Sequence, residues 1–205
     1  MAETTPSPTL SAKASSPTAL CVYCGSSFGT HPDYESAASL VGRTLAERGI
    51  HVIFGGGRVG LMGTMADAAL EAEGIVTGVT TKGLVEAEIA HEGLTHLHVV
   101  ETMHQRKAKM ESLSGGFVTL PGGVGTLEEI MEQWTWAQLG IHTKPCAFLN
   151  VRGYFDPMMA MVEHMRHEGF LKPDLDEMLI VEDDIGVLLD RVSRYQAPTP
   201  KWQHR

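Results

Sequence analysis

Cysteine is scarce in this sequence: Cys21, Cys24 and Cys146 are the three thiols among 205 residues. An odd count closes no disulfide framework. The start of the chain also lacks the basic and apolar segments of a secretory signal, so a reducing cytoplasm is the expected location. Cys21 and Cys24 have the spacing of a redox pair or half a zinc site, but no second pair completes a metal site. In a strand, residues three apart point to opposite faces, so Cys21 and Cys24 are read as ordinary thiols. Basic residues are outnumbered: 16 Lys and Arg against 25 Asp and Glu give a net charge of −9. That argues against nucleic acid and against anionic membranes as partners, although one local basic cluster is enough for a nucleotide. No apolar run reaches membrane-spanning length. The chain has no Gly-x-Gly-x-x-Gly dinucleotide fingerprint and no Gly-x-x-x-x-Gly-Lys-Ser/Thr loop. It shows no internal repeat and no linker. Its 43% hydrophobic content is that of one ordinary globular domain.

What stands out is Leu120-Pro121-Gly122-Gly123-Val124-Gly125-Thr126-Leu127-Glu128-Glu129. An apolar run at 117–120 reads as a buried strand, and 126–139 reads as an amphipathic helix. A strand that ends in a glycine-rich turn and restarts as a helix leaves backbone N–H groups facing outward. With the positive end of the helix dipole, they suit a phosphate. Glycine lets the anion approach the backbone and supplies positive φ where a turn needs it. Two readings of Glu129 stay open at this stage. Thr126 and Glu129 have capping-box spacing, so the carboxylate can serve its own helix, or it can face a ligand.

Strand and helix alternate along the rest of the chain. Strands are expected at 19–24, 50–54, 75–79, 95–100, 117–120, 145–150 and 178–181. Helices are expected at 33–48, 60–72, 102–113, 126–139, 156–168 and 184–195, with a loop and a short helical turn over 82–91. The strands are continuous apolar runs. The fold class is therefore α/β, a doubly wound parallel sheet of about seven strands with helices on both faces. Such sheets bind ligands beyond the carboxyl ends of their strands. Gly25-Ser26-Ser27, Gly55-Gly56-Gly57 and the 121–126 loop all follow strands and are expected together on that edge. Residues 1–18, rich in Ser, Thr, Pro and Ala, are expected to be a disordered tail, 19–195 one domain, and 196–205 a loose C-terminal tail.

Three stretches together resemble one family. Pro121 to Glu129 matches Pro-Gly-Gly-x-Gly-Thr-x-x-Glu at every fixed position. Met103-His104-Gln105-Arg106-Lys107 is the second stretch. Val22-Tyr23-Cys24-Gly25-Ser26-Ser27 is the third, supported by Gly55-Gly56-Gly57 and Trp136-Ala137-Gln138-Leu139-Gly140. The chain resembles the LONELY GUY (LOG) family of cytokinin riboside 5′-monophosphate phosphoribohydrolases, long labelled possible lysine decarboxylases, over about 20–190. The resemblance implies a Rossmann-like nucleotide-binding domain and a homodimer with sites at or near the subunit interface. It implies hydrolysis of the N-glycosidic bond of an adenosine 5′-monophosphate, N6-modified or plain, to free base and ribose 5-phosphate. Arg106 and Glu129 fall on the family's catalytic pair. Substrate contacts fall on Gly25, Ser26, Gly56, Glu88, Arg106, Lys107, Gly122, Gly123, Val124, Gly125, Thr126, Leu127 and Glu128. No cofactor and no metal is implied.

These residue types suit that chemistry. Breaking the bond to the base builds positive charge on the sugar, so a carboxylate is needed beside the anomeric carbon. Arg106 or Lys107 can add charge-assisted bonds to a phosphate, or Arg106 can act at the base or orient Glu129. Each residue also has a plain reading. Arg106 and Lys107 can be a solvated helix face, and Glu128 a surface acid. His96 and His98 share a strand face but lack an acidic partner for a metal. His104 is read as structural, Met103 and Met110 as core, and Trp134 and Trp136 as packing or interface residues. The alternative function is a non-catalytic carrier of a nucleotide or of molybdenum cofactor, which has no need of the Arg106 and Glu129 pair. Lysine decarboxylation needs pyridoxal phosphate on a lysine, and no lysine here has a setting of that kind.

Overall fold

The computed structural model describes residues 17–86, 90–172 and 178–198. Glu88 lies outside the described residues, as does most of each expected tail. Seven strands appear among the described residues: β1 (Ala19–Tyr23), β2 (His51–Phe54), β3 (Val76–Thr81), β4 (His96–Val100), β5 (Phe117–Thr119), β6 (Cys146–Leu149) and β7 (Leu179–Glu182). The helices are α1 (Pro32–Glu47), α2 (Gly60–Glu71), α3 (Lys82–Glu86), α4 (Met103–Leu113), α5 (Val124–Leu139), α6 (Asp156–His167) and α7 (Ile185–Arg194). Every strand pairing is parallel, in the order β4-β3-β2-β1-β5-β6-β7. The chain winds outward from β1 to β4, then returns to the other side of β1 with β5. The order reverses between β1 and β5, which puts the crevice of this fold at their carboxyl ends.

Alternation along β1 divides the core. Leu20, Val22 and Cys24 pack with α1, α2 and α7 on one face, and Cys21 and Tyr23 pack with α4, α5 and α6 on the other. A strand buried on both sides has no polar face, which is why β1 and β6 read as unbroken apolar runs, whereas β4, at the sheet edge, is largely exposed. Helix ends follow local chemistry. The N-cap of α4 is Thr102, which accepts from the Gln105 amide, while the Gln105 side chain reaches back to the cap: a full capping box. Asp184 caps α7. Gly140, in the left-handed region at φ 75°, ends α5.

One side-chain expectation fails. Met103 was expected in the core and is 47% exposed at the first residue of α4; Met110, two turns further along the same face, is fully buried. Arg106 and Lys107, open to a reading as a solvated face, are both buried. Trp134 packs in the core, while Trp136 is half-buried.

The three thiols are buried, Cys21 and Cys24 on opposite faces of the sheet. Burial in apolar surroundings raises all three above the ordinary thiol range, Cys146 to about 12. Ellman's reagent is therefore expected to titrate no thiol in the native protein and three in denaturant. One fast-reacting native thiol would contradict the packing of β1 and β6.

Candidate active site

The site grows from the ends of three neighbouring strands. After β1 the chain turns through Gly25, whose amide donates to the Pro121 carbonyl at 3.0 Å, so the loops after β1 and β5 touch. A Cβ on Gly25 would sit 3.2 Å from the Gly122 Cα, and one on Gly122 would sit 2.2 Å from Thr126 Oγ1. These two glycines allow two backbones to cross. Gly123 and Gly125 differ, since a Cβ on either meets nothing within 4 Å. The space above them is open. None of Gly122, Gly123 and Gly125 has positive φ, against the expectation that this turn uses left-handed backbone. Gly56 does, at φ 75°. Its loop closes on the next strand connection, with the His91 amide donating to the Gly56 carbonyl at 2.8 Å.

Helix α5 starts two residues earlier than its pattern suggests. Its N-cap is Gly123, which offers no side-chain cap, and Thr126 lies in the first turn. The capping-box reading of Thr126 and Glu129 is thereby replaced. The first turn holds no acidic residue. The Val124, Gly125 and Thr126 amides have no carbonyl four residues back within the helix, which leaves the positive end of α5 available to an anion. Beside them is a cleft of about 270 Å³ lined by Gly25, Ser26, Phe28, Tyr34, Gly123 and Tyr154, among others.

Glu129, free of capping, turns toward α4. Arg106 Nη1 donates to Glu129 Oε1 at 3.0 Å, and Arg106 Nε donates to the Val79 carbonyl within β3 at 2.9 Å. The side chains are 9% and 15% exposed, so the pair is largely shielded from water. Burial raises the Glu129 carboxyl above its ordinary range, and Arg106 opposes that rise. Next to this pair, Lys107 Nζ bonds Glu128 Oε1 at 2.5 Å and Glu132 Oε1 at 3.0 Å. Burial alone would lower the Lys107 ammonium, but its two carboxylate partners hold it above its ordinary value.

The structure thus gathers Gly25, Ser26, Gly122, Gly123, Val124, Gly125 and Thr126 at one crevice. It sets Arg106 and Glu129 as a pair along α5, with Gly56 on the neighbouring loop. Leu127 is half-buried against the core. Glu128 and Lys107 face each other. Two contributors escaped sequence reasoning. A Cβ on Gly55 would lie 1.9 Å from an Arg106 guanidinium nitrogen, so that glycine makes room for the arginine. The glycine triplet was the only signal of it. Tyr154 donates its hydroxyl to the Gly122 carbonyl at 2.5 Å and stands edge-on to Tyr34, bracing the glycine loop from outside. Nothing in its local sequence marks it. Among the described residues no cluster of three His, Cys, Asp or Glu could hold a metal ion.

The arrangement offers an anion cradle of neutral amides beside a shielded carboxylate. Known proteins share its frame. Residues 62–192 match the family described as "Possible lysine decarboxylase". A cytokinin riboside 5′-monophosphate phosphoribohydrolase of Rhodococcoides fascians is 46% identical over 182 residues, covering 88% of this chain and 92% of that protein. One of Oryza sativa subsp. japonica is 41% identical over 176 residues, covering 86% and 73%. The molybdenum cofactor carrier protein of Chlamydomonas reinhardtii superposes with a TM-score of 0.64 at 19% identity, covering 86% of this chain and 96% of that one. At that identity the likeness shows a common fold alone.

The two kinds of loop glycine make opposite predictions. Gly125→Ala should keep or raise Tm, since the methyl meets open space in a helical first turn, but should weaken binding of inorganic phosphate measured by calorimetry. Gly122→Ala should destabilise by about 1–3 kcal/mol in urea titration, because its methyl strikes Thr126 and the loop after β1. Wild-type phosphate affinity in Gly125→Ala would place the anion elsewhere.

Proposed function

The chain belongs to the LONELY GUY (LOG) family of cytokinin riboside 5′-monophosphate phosphoribohydrolases, and from that membership we infer that it hydrolyses the N-glycosidic bond of an adenosine 5′-monophosphate, releasing a cytokinin or adenine base and ribose 5-phosphate. The observation that carries this reading is the shielded Arg106–Glu129 pair placed one turn inside an open helix start. A carrier needs the cradle but gains nothing from a buried, cation-held carboxylate beside it.

In the proposed mechanism the phosphate lies over Gly123 and Gly125, held by the Val124, Gly125 and Thr126 amides with Ser26 alongside. Fixing the phosphate stops the sugar from sliding and brings the anomeric carbon toward Glu129. As the bond to the base breaks, its electron pair leaves with the base and the sugar becomes an oxocarbenium-like cation. The Glu129 carboxylate faces that charge and accepts a proton from the water that attacks the anomeric carbon; a proton delivered to the base completes the balance. Arg106, fixed at one end by the Val79 carbonyl and at the other by Glu129, orients the carboxylate and keeps it ionised. The reading also includes a homodimer. Val124 is 85% exposed at the mouth of the site and Ile141 is 64% exposed just past α5, apolar surface suited to a second copy. No helix among the described residues is long and apolar enough to cross a membrane.

Incubating the purified protein with AMP and with N6-prenylated AMP, then separating free base from nucleotide, tests the reading. Release of base and ribose 5-phosphate from at least one is expected, and release from neither would favour a carrier. Glu129→Gln and Arg106→Ala should each lower kcat by about 100-fold or more. The glutamine variant should keep its Tm. The alanine variant should lose some, because it strands a buried carboxylate.

The pH dependence follows from the sign of the Glu129 shift. The carboxylate form is the working one, and burial raises its pKa, so kcat should fall with decreasing pH at a midpoint above the ordinary glutamate range. An acid limb at or below that range would assign the work to another group.

A further inference from the structure

The carbonyls of residues 121–123, just ahead of α5, are all occupied. Pro121 accepts from the Gly25 amide at 3.0 Å, and Gly123 accepts from the Leu127 amide at 3.1 Å. Both bonds are backbone to backbone and come with the fold. The Gly122 carbonyl is met by a side chain instead, the Tyr154 hydroxyl at 2.5 Å, from 32 positions away. A built turn carries Tyr154 there. Asn150, just past β6, accepts from the Phe155 amide and donates to Asp156, each at 2.7 Å. Arg152 and Gly153 are both left-handed, at φ 57° and 70°, a conformation uncommon for a residue with a side chain. The Tyr154 ring then stands edge-on to both Tyr34 and Phe155, which leaves its hydroxyl little freedom.

We propose that Tyr154 is a positioning residue that sets which way the Gly122–Gly123 peptide faces, holding its carbonyl away from the crevice so that its N–H is presented to the anion. The proposal rests on the reading of this crevice as the phosphate cradle.

A trans peptide is a rigid plane whose C=O and N–H point opposite ways. Tyr154 follows β6, and β5 lies between β6 and β1. A carbonyl drawn toward Tyr154 therefore turns the N–H to the β1 side, where Gly25 and Ser26 line the cleft. The peptide joins two glycines and can turn over easily. Turning it would take φ of Gly123 from −87° to the positive side, which glycine adopts freely and other residues avoid. Before an anion arrives, the turned form has an electrostatic advantage. Its carbonyl would approach the positive end of α5 and answer the amides of the first turn. An incoming phosphate would then meet an oxygen. A Cβ at Gly123 would fix the orientation, but it would stand in the open space an anion needs. The tyrosine supplies the orientation and leaves that space clear.

Tyr154→Phe keeps the ring and removes the hydroxyl. Ribose 5-phosphate affinity by calorimetry should fall at least about threefold, as the competent orientation becomes a minority. KM for the nucleotide should rise by the same factor with little change in kcat. The crystal structure of free Tyr154→Phe should show the Gly122 carbonyl turned toward the crevice. A smaller fall in affinity, or a loss confined to kcat, would overturn the proposal. So would weakened binding with the peptide unturned, which would make Tyr154 a direct phosphate contact. If Tyr154→Phe folds poorly, the native protein carries the test. Its complex with ribose 5-phosphate should place a phosphate oxygen within hydrogen-bond distance of the Gly123 amide, and a phosphate held without that amide would overturn the proposal. Neither calorimetry nor crystallography needs turnover. A wild type that releases no base, yet loses ribose 5-phosphate affinity and turns its peptide in Tyr154→Phe, would sink the hydrolase reading and support this one.

Discussion

A carboxylate stays charged inside a protein only where another charge or a set of donors answers it. Glu129 sets that condition here, and much of the site follows from it. Arg106 must reach across from α4. To do so it must pass the end of β2, and Gly55 has no side chain in the way. Its Nε needs an acceptor, which β3 supplies through the Val79 carbonyl. The guanidinium is thus pinned between a strand and a helix, and its fork fits both without further ordering. Two helices, two strand ends and one glycine turn are all arranged around a single ion pair.

The same economy leaves few cations for a substrate. Arg106 and Lys107 are spent on carboxylates of α5, and what the crevice itself presents is main-chain amides, hydroxyls and the start of a helix. These are fixed partial charges that need no reorganisation when a phosphate arrives. An acidic protein with net charge −9 can therefore hold a phosphate without a basic surface. Tyr154, edge-on to Tyr34, braces the glycine loop from outside.

The fold was legible because a doubly covered parallel sheet leaves a plain record: unbroken apolar strands, helices with one apolar stripe, and glycine at the joints. Element ends read from the pattern fall within two residues of those observed. The start of α5 was misread because Gly123 caps without a side chain, while Thr126 and Glu129 have the spacing of a box. The real box, Thr102 with Gln105, has the same spacing and lay in a motif read for chemistry instead. The family pattern picked out Arg106 and Glu129, but not their mutual contact. That contact spans 23 residues and depends on how two helices lie over a sheet. Burial of Lys107 was hidden for a related reason: a charged residue on a polar helix reads as solvated until its partner is placed. Tyr154 acts across 32 residues on a carbonyl, and a carbonyl has no residue type to recognise.

The central seam of the sheet joins the first strand made to one made much later, since Cys21, Val22 and Tyr23 pair with Phe117, Val118 and Thr119. During synthesis at about 5–20 residues per second, β1 therefore waits several seconds with one edge bare. α4 comes only a few residues ahead of β5, so its two cations are made at the close of that interval, shortly before the carboxylates of α5. Nascent chains of this protein are consequently most exposed to mispairing until β5 emerges, and the Arg106–Glu129 pair forms only as that hazard ends.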